Sequence, residues 1–462
     1  MHANIIKILQ DLRASYWFIP SLMAFSAFLL SFFMQWLDAY YDVASLTNIS
    51  WLTTTNAEGA RSVLTVIAGS VMGVAGVTFS ITIVAVSYAS ANFGPRLIGN
   101  FMRDRGNQLT LGTFIAAFVY CLMILRTVES GTSDDASQSF DAFVPHLSIL
   151  MALALALASI SVLIYFIHHV PETINVGNIA AKIGTDLRTG IIETFPNPSK
   201  LQPDTRDKSL SWEKALKDYR HSKIYADSTG FIQTLEETRL GEIVSKHKLL
   251  IRVQYRPGDF VITQDPILEV WSKSEINDEV KKSLQACYAV GQHRTAHQNV
   301  LFLVDELVEI IARALSPGVN DPFTAITCLN WLKAATACFA LRPEHENWPS
   351  DSDPVQLSPI SFERFVSAIF DQSRQYVCKD RNVSLHVMII LTETAVLLQP
   401  GSKQDVLLKQ IQKLADACAE SIGEHAGGKD IKECHKEALV IISDPATYNE
   451  NSDSYKWFGG RA

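Results

Sequence analysis

Four stretches of the chain are almost free of polar interruption, and the pattern changes abruptly after residue 171. Residues 16 to 37, YWFIPSLMAFSAFLLSFFMQWL, carry no charge and have Trp17 and Trp36 near their ends. A helix needs ~20 apolar residues to cross the hydrocarbon layer, and Trp favours its two interfaces. Further runs at 62–94, about 107–126 and 146–170 complete a set of four expected spans. The first is too long, and its flanks too unlike a cleavage site, for a signal peptide. Lys7 and Arg13 precede the first span, and Arg96, Arg103 and Arg105 lie between the second and third. The other two connections are mostly acidic, with Asp38, Asp42 and Glu58 in one and Glu129, Asp134, Asp135 and Asp141 in the other. The positive-inside bias then predicts both termini, and everything after residue 171, in the cytoplasm.

The second span has an uneven pattern of its own. Gly69, Gly73, Gly76, Ser80, Ser87 and Ser90 recur at heptad-like spacing, and nearly all the small residues of 62–94 fall on that stripe. Small residues on one face let helix backbones approach closely. One reading is tight packing against the other three spans. The other is a narrow, partly hydroxylated pore wall around a symmetry axis. About 30 residues at ~1.5 Å each exceed the ~30 Å hydrocarbon layer, so this helix must tilt or project. Gly94-Pro95 breaks it, and RLIGNFMRDR (96–105) reads as a short amphipathic helix on the inner leaflet. No span carries Asp, Glu, Lys or Arg near its centre, which argues against a charge-relay transporter.

After the spans, residues 172–221 read as a connector, with FPNPSKLQPD (195–204) as a loop. Residues 222–272 alternate in strand fashion, with Arg256-Pro257-Gly258-Asp259 as a turn, and predict a small β-barrel or sandwich. Their pattern looks like a biotinyl/lipoyl-type hybrid barrel, which carries a modified Lys in an exposed hairpin. The matching insert here is helical, Lys246 and Lys248 lack that setting, and no covalent cofactor is expected. Residues 273–425 read as helical. Leu301, Val304, Val308, Ile311 and Leu315 share one face, and Glu306, Glu309 and Arg313 share another, with Glu309 and Arg313 an i,i+4 pair. Residues 426–462 read as a short helix and a disordered polar tail.

The helical region is interrupted by Ser-Pro-Gly-Val-Asn-Asp-Pro at 316–322. Ser316 precedes a proline and leaves the helical region, Gly318 permits a sharp turn, and Asp321 with Pro322 starts the next helix. That accounts for a plain helix-loop-helix corner. A second reading makes the corner a ligand or subunit contact built from Arg294, Arg313, Ser316, Asn320 and Asp321, with His293 and His297 upstream. Free N–H groups at a helix start favour anions, although Asp321 as cap would oppose one.

Composition narrows the field. The chain has 462 residues, is 48% hydrophobic and carries a formal net charge of −8, so no nucleic-acid surface is suggested. Seven cysteines without a CxxC pair fit free thiols in a reducing compartment. His425, Cys434 and His435 match no standard metal spacing, and no metal site is expected. No Walker A loop, GxGxxG, HExxH or Gly-x-Ser-x-Gly is present, so no catalytic residue is assigned and an enzyme is not expected.

GQHRT (291–295), RALSPGVNDPFTA (313–325) and VTFSITIVAVSYASANFGPRLIGNFMRD (77–104) resemble the bacterial predicted membrane proteins grouped as domain-of-unknown-function family 2254. The chain departs at Gln298-Asn299, where that family typically has an acidic residue. The resemblance implies a multi-span protein of the bacterial inner membrane and no particular activity. The expected fold is a mainly α membrane protein. A four-span domain (1–171) leads through the connector to the β-domain, a helical cytoplasmic domain (273–425) and the terminal helix and tail. Two functions stand as expectations. One is a homo-oligomeric passive pore lined by the second span. The other is a membrane-anchored sensor or scaffold for a small anionic ligand or protein. The expected partners are the bilayer and further copies of the chain, not nucleic acid.

Overall fold

The computed structural model describes residues 15–40, 56–94, 104–128, 144–195, 212, 217, 219–342, 354–357, 360–423, 427–450 and 454–458. The chain divides after Asn175 into two compact units. The first holds four helices, each long and apolar enough to cross a membrane: α1 (Phe18–Tyr40), α2 (Ala57–Phe93), α3 (Arg105–Leu125) and α4 (His146–Ile174). They match the expected spans, with α2 starting five residues earlier and α4 ending four residues later. The amphipathic segment expected at 96–105 lies almost wholly outside the described residues.

α3 is the central helix of this unit. Its Ala116, Tyr120, Cys121 and Ile124 share a core with Ala27 and Met34 of α1, Ala60, Leu64 and Ala68 of α2, and Ile149 and Ala152 of α4. Small residues make the approach possible: a Cβ at Gly112 would stand 3.3 Å from the Pro20 Cα and 2.5 Å from the Met23 sulfur. Polar contacts close both ends of the bundle. At one end Asp38 reaches the start of α4, and the Arg61 guanidinium donates to the Val128 carbonyl at 2.6 Å. At the other, Asp104 caps α3 through the Asn107 N–H and meets His169 Nε2 of α4 at 2.9 Å. An exposed carboxylate at a helix start is favoured by the helix dipole and by the unpaired N–H groups there.

The second unit begins with a correction. The expected connector contains a 19-residue helix, α5 (Val176–Thr194), whose Ala180, Ile183, Gly184, Leu187 and Ile191 are buried. That i, i+3, i+4 spacing is the inward stripe of an amphipathic helix. It packs against α8 (Val300–Ala314) and α9 (Pro322–Ala340).

The β-domain is larger than expected. Strands β1 (Arg220–Tyr225), β2 (Gly230–Leu235), β3 (Leu250–Val253), β4 (Phe260–Val261), β5 (Pro266–Ser272) and β6 (Tyr288–Gly291) are joined by β7 (Val355–Leu357). They form two open sheets, β1-β5-β3-β7 and β4-β2-β6, not a closed barrel; β3 and β7 pair in parallel, and the other pairs are antiparallel. Ile232, Leu235, Ile251, Leu268 and Val270 fill one core with Leu240 and Val244 of α6 (Glu237–His247) and Leu284 of α7 (Asp278–Gln285). The expected boundary at 272 therefore moves to 291. Strand β6 pairs with β2 far back in the chain, a non-local partner that periodicity cannot reveal.

Helices α10 (Phe362–Val377), α11 (Arg381–Val396), α12 (Ser402–Ser421), α13 (Gly428–Ser443) and α14 (Pro445–Glu450) complete the unit. The tail departs from the expected disorder at 454–458. There Lys456 pairs with Glu433 at 2.8 Å, the Trp457 N–H donates to Glu437, and Phe458 is buried.

Candidate functional site

The stripe of the second span is placed by the face that α2 turns inward. Ala60, Leu64, Ala68, Val71, Ala75, Thr78, Thr82, Ala85 and Ala89 are buried, at the 3.6-residue period of a single helix face. The hydroxyls of Thr78 and Thr82 return to the helix's own carbonyls of Ala75 and Thr78, so the face presents methyl groups to its neighbours. The Gly/Ser stripe lies elsewhere. Gly69, Gly73, Gly76, Ser80 and Ser87 are exposed and Ser90 is half-buried. Among the described residues, a Cβ built on Gly69, Gly73 or Gly76 meets nothing within 4 Å. Among the described residues the alanine and threonine face, not this stripe, packs against the other three spans.

The corner at 316–322 is built mainly from its own backbone. The Ser316 hydroxyl donates to the Arg313 carbonyl at 2.6 Å, and the Asn320 N–H donates to the Ser316 carbonyl at 2.9 Å. The Asp321 N–H donates back to Ala314 at 2.8 Å. The Asp321 carboxylate caps α9, accepting from the Thr324 N–H at 3.1 Å and the Thr324 hydroxyl at 2.6 Å. The left-handed residue is Asn320, at φ 48°, and not Gly318 as its sequence position suggests. Asn tolerates that conformation better than other side chains, so the turn is made there.

The cations expected to converge on the corner are held apart. Arg294 Nη1 meets Asp305 at 2.6 Å and its guanidinium lies over the Phe302 ring. Arg313 meets Glu309 at 3.4 Å, the i,i+4 pair read from the sequence. Asp305 and Arg313 are eight residues apart on α8, roughly 12 Å along its axis. Each guanidinium has its own carboxylate. Glu306, expected on the polar face, is buried.

Gln298 and Asn299, which the sequence marks only as a departure from the family, fix this region to the β-domain. Gln298 takes a left-handed φ of 55°, and its side-chain amide donates to the Leu235 carbonyl and accepts from the Leu235 N–H. Asn299 caps α8 through the Phe302 N–H at 3.1 Å. An amide donates and accepts at once; a carboxylate at position 298 would only accept. The departure at Gln298-Asn299 therefore has a structural use.

Among the described residues no group of three His, Cys, Asp or Glu is placed to hold a metal. Cys434 is buried in α13, where burial pushes its thiol up to about 12. Burial lowers the neighbouring His435, and His425 lies outside the described residues.

Comparisons with known proteins agree with a membrane location and add no activity. Uncharacterized protein Mb1321c of Mycobacterium bovis is 26% identical over 397 residues, covering 84% of this chain and 74% of its own. Uncharacterized protein Rv1290c of Mycobacterium tuberculosis matches to the same extent. No solved structure matches the chain. The model of one family, described as predicted membrane protein (DUF2254), matches residues 13–393, and with its four apolar helices the chain belongs to that family.

Proposed function

We propose that this membrane protein is a homo-oligomeric passive pore of the bacterial inner membrane, walled by the outward face of α2. One observation carries the reading: among the described residues a Cβ at Gly69, Gly73 or Gly76 meets nothing within 4 Å, and Ser80 and Ser87 are exposed on the same stripe. Lipid tails gain nothing from glycine and serine, whereas a second helix gains close approach and a pore gains hydroxyls. The Lys/Arg bias of the connections supports a cytoplasmic second unit. The competing reading, a sensor for an anionic ligand at the corner, is less favoured because Arg294 and Arg313 are already paired.

The test is ion flux from liposomes that contain the full chain, alongside its detergent-corrected mass. A ring of four or more subunits with flux that Gly76→Leu reduces at least severalfold is expected. A monomeric or dimeric chain without flux would sink the pore. Because a Cβ at Gly76 meets nothing within 4 Å among the described residues, the Leu variant should fold as the parent does.

A further inference from the structure

Four helices of the second unit bring their ends to one level at the start of α8. Val300, the first residue of α8, lies against Gly190 near the end of α5, where a Cβ would come within 3.2 Å of the Val300 side chain. Phe195, just past α5, stacks on Phe339 in the last turn of α9 with ring centroids 4.4 Å apart. Phe339 also meets Phe362 and Phe365 in the first turn of α10, at 5.7 and 5.1 Å. α8 and α10 therefore begin where α5 and α9 end. The last carbonyls of the α9 end are answered by Lys403, whose ammonium donates to Ala340 and Arg342 and lies over the Phe362 ring. The two helix starts, with their outward N–H groups, favour negative charge.

The side chains at this level are donors in search of an acceptor. Asn299 is 4% exposed, and its Oδ1 accepts the Phe302 N–H at 3.1 Å, which fixes which way the amide points. The Asn299 Nδ2 is buried and has no hydrogen-bond partner. It faces the Arg256–Asp259 turn, where any Cβ on Gly258 would collide with it. Arg342, just past α9, has Nε and Nη1 buried without an acceptor. Arg364, in the first turn of α10, is exposed, and among the described residues no carboxylate pairs with it; the neighbouring Glu363 meets Lys409 of α12 instead, at 3.8 Å. Arg256 is half-buried beside them. Burial lowers its pKa, Asp259 partly offsets this, and the Arg364 charge lowers it further. A buried N–H left unmade and like charges drawn together are both unfavourable until an anion joins them. Asp259 is already engaged, accepting the Arg256 N–H at 2.8 Å. Three guanidiniums against that one carboxylate of the turn suit a doubly charged oxyanion, and the guanidinium fork matches phosphate.

We propose that the junction of the Arg256–Asp259 turn with the starts of α8 and α10 binds a phosphate group. Arg364 and Arg256 take it at the surface, Arg342 meets it from the α9 side, and the Asn299 amide closes on it from beneath. The site lies at the opposite end of α8 from the 316–322 corner and does not depend on the pore.

The test is calorimetric titration of the full chain in mild detergent with sodium phosphate, against sodium chloride at matched ionic strength. Saturable phosphate binding that Arg364→Gln weakens by about tenfold is expected, the loss of one charge-assisted contact. Arg364 is exposed, so this variant should keep the parent melting midpoint. Arg313→Gln, ~20 Å along α8 from its first residue, should leave the affinity unchanged. No saturable binding would overturn the site. Equal losses from both variants would also overturn it, since the overall charge of the unit would then explain the binding. Dihexanoyl phosphatidic acid is titrated in parallel. Tighter binding than inorganic phosphate, with the same loss in Arg364→Gln, supports the site and assigns its phosphate to a lipid headgroup; equal or weaker binding assigns it to a soluble phosphate. Flux through the pore plays no part in these readouts.

Discussion

Asp38, on the last turn of the first span, caps the fourth: its carboxylate accepts the Ser148 N–H at 2.9 Å and the Ser148 hydroxyl at 2.5 Å. The Leu147 N–H adds a third bond at 2.8 Å, and Tyr120 of α3 donates to the Ser148 carbonyl. A side chain 110 residues away thus does the work usually done by a local cap, since Pro145 at the helix start offers none. Asp38→Ala should destabilise the bundle by ~1–2 kcal/mol, the range of a lost N-cap. Thermal melting in mild detergent would show a fall of a few degrees, and an unchanged midpoint would deny Asp38 this role.

Two glycines make a matched pair. At Gly184 a Cβ would press on the Trp331 Cβ, so Gly184→Leu should overpack α5 against α9 and destabilise by ~1–3 kcal/mol or more. At Gly76 there is open space among the described residues, so Gly76→Leu should lower the melting midpoint far less than Gly184→Leu does, any shift following the altered self-association. Equal losses from both would mean that α2 packs inside the protomer after all.

Asp371 gives the second unit an acid-sensitive contact. Burial alone would raise its pKa, but hydrogen bonds from Arg374, Lys413, Ser367 and Gln410 outweigh it and hold the carboxyl down at about 2. A folded-state value below the ordinary ~3.9 contributes stability that is fully present above pH ~4 and is lost as pH falls toward 2. The carboxyl is partly exposed and screened, so Asp371→Asn should lose ~1 kcal/mol or less at neutral pH. The gap between wild-type and variant melting points should close between pH 4 and 2. A gap that does not change with pH would assign the effect to something other than the carboxylate.

Thiol chemistry should be confined to one position in the second unit. Burial pushes Cys287 and Cys418 up to about 11 and Cys328 and Cys434 up to about 12, Cys378 is also buried, and Cys338 is half-buried. Only the thiolate reacts, so alkylation of the folded chain near pH 8 should mark Cys338 well ahead of those five. Mass spectrometry of the digested protein reads this directly. Early modification of Cys434 would show that α13 opens readily.

The four spans were legible because some twenty uncharged residues in a row have no competing explanation in a chain of this composition. The inward face of the second span was not. Its Gly and Ser stripe is periodic, but alanine and threonine at 60, 68, 75, 78, 82, 85 and 89 are equally so, and methyl-bearing residues look alike whether they meet helix or lipid. At the corner, Asp321 and Pro322 were readable as a helix start because capping is local chemistry. Which residue turns left-handed is not legible there, since Gly318 and Asn320 both tolerate that conformation. The packing of α5 and the end of the β-domain depend on distant partners: Trp331 against Gly184 for one, Ile232 beside Val290 for the other.

The partnership of Gly184 with Trp331 also fixes an order of events during synthesis. α5 leaves the ribosome directly behind the fourth span, but the helices that cover its apolar face, α8 and α9, are translated ~110–150 residues later. At ~5–20 residues per second, α5 waits of order ten to thirty seconds with Ile183, Leu187 and Ile191 uncovered. A newly inserted chain therefore has a vulnerable interval built into its gene order, in which the nascent helix needs the nearby lipid surface or a chaperone until its own C-terminal half arrives.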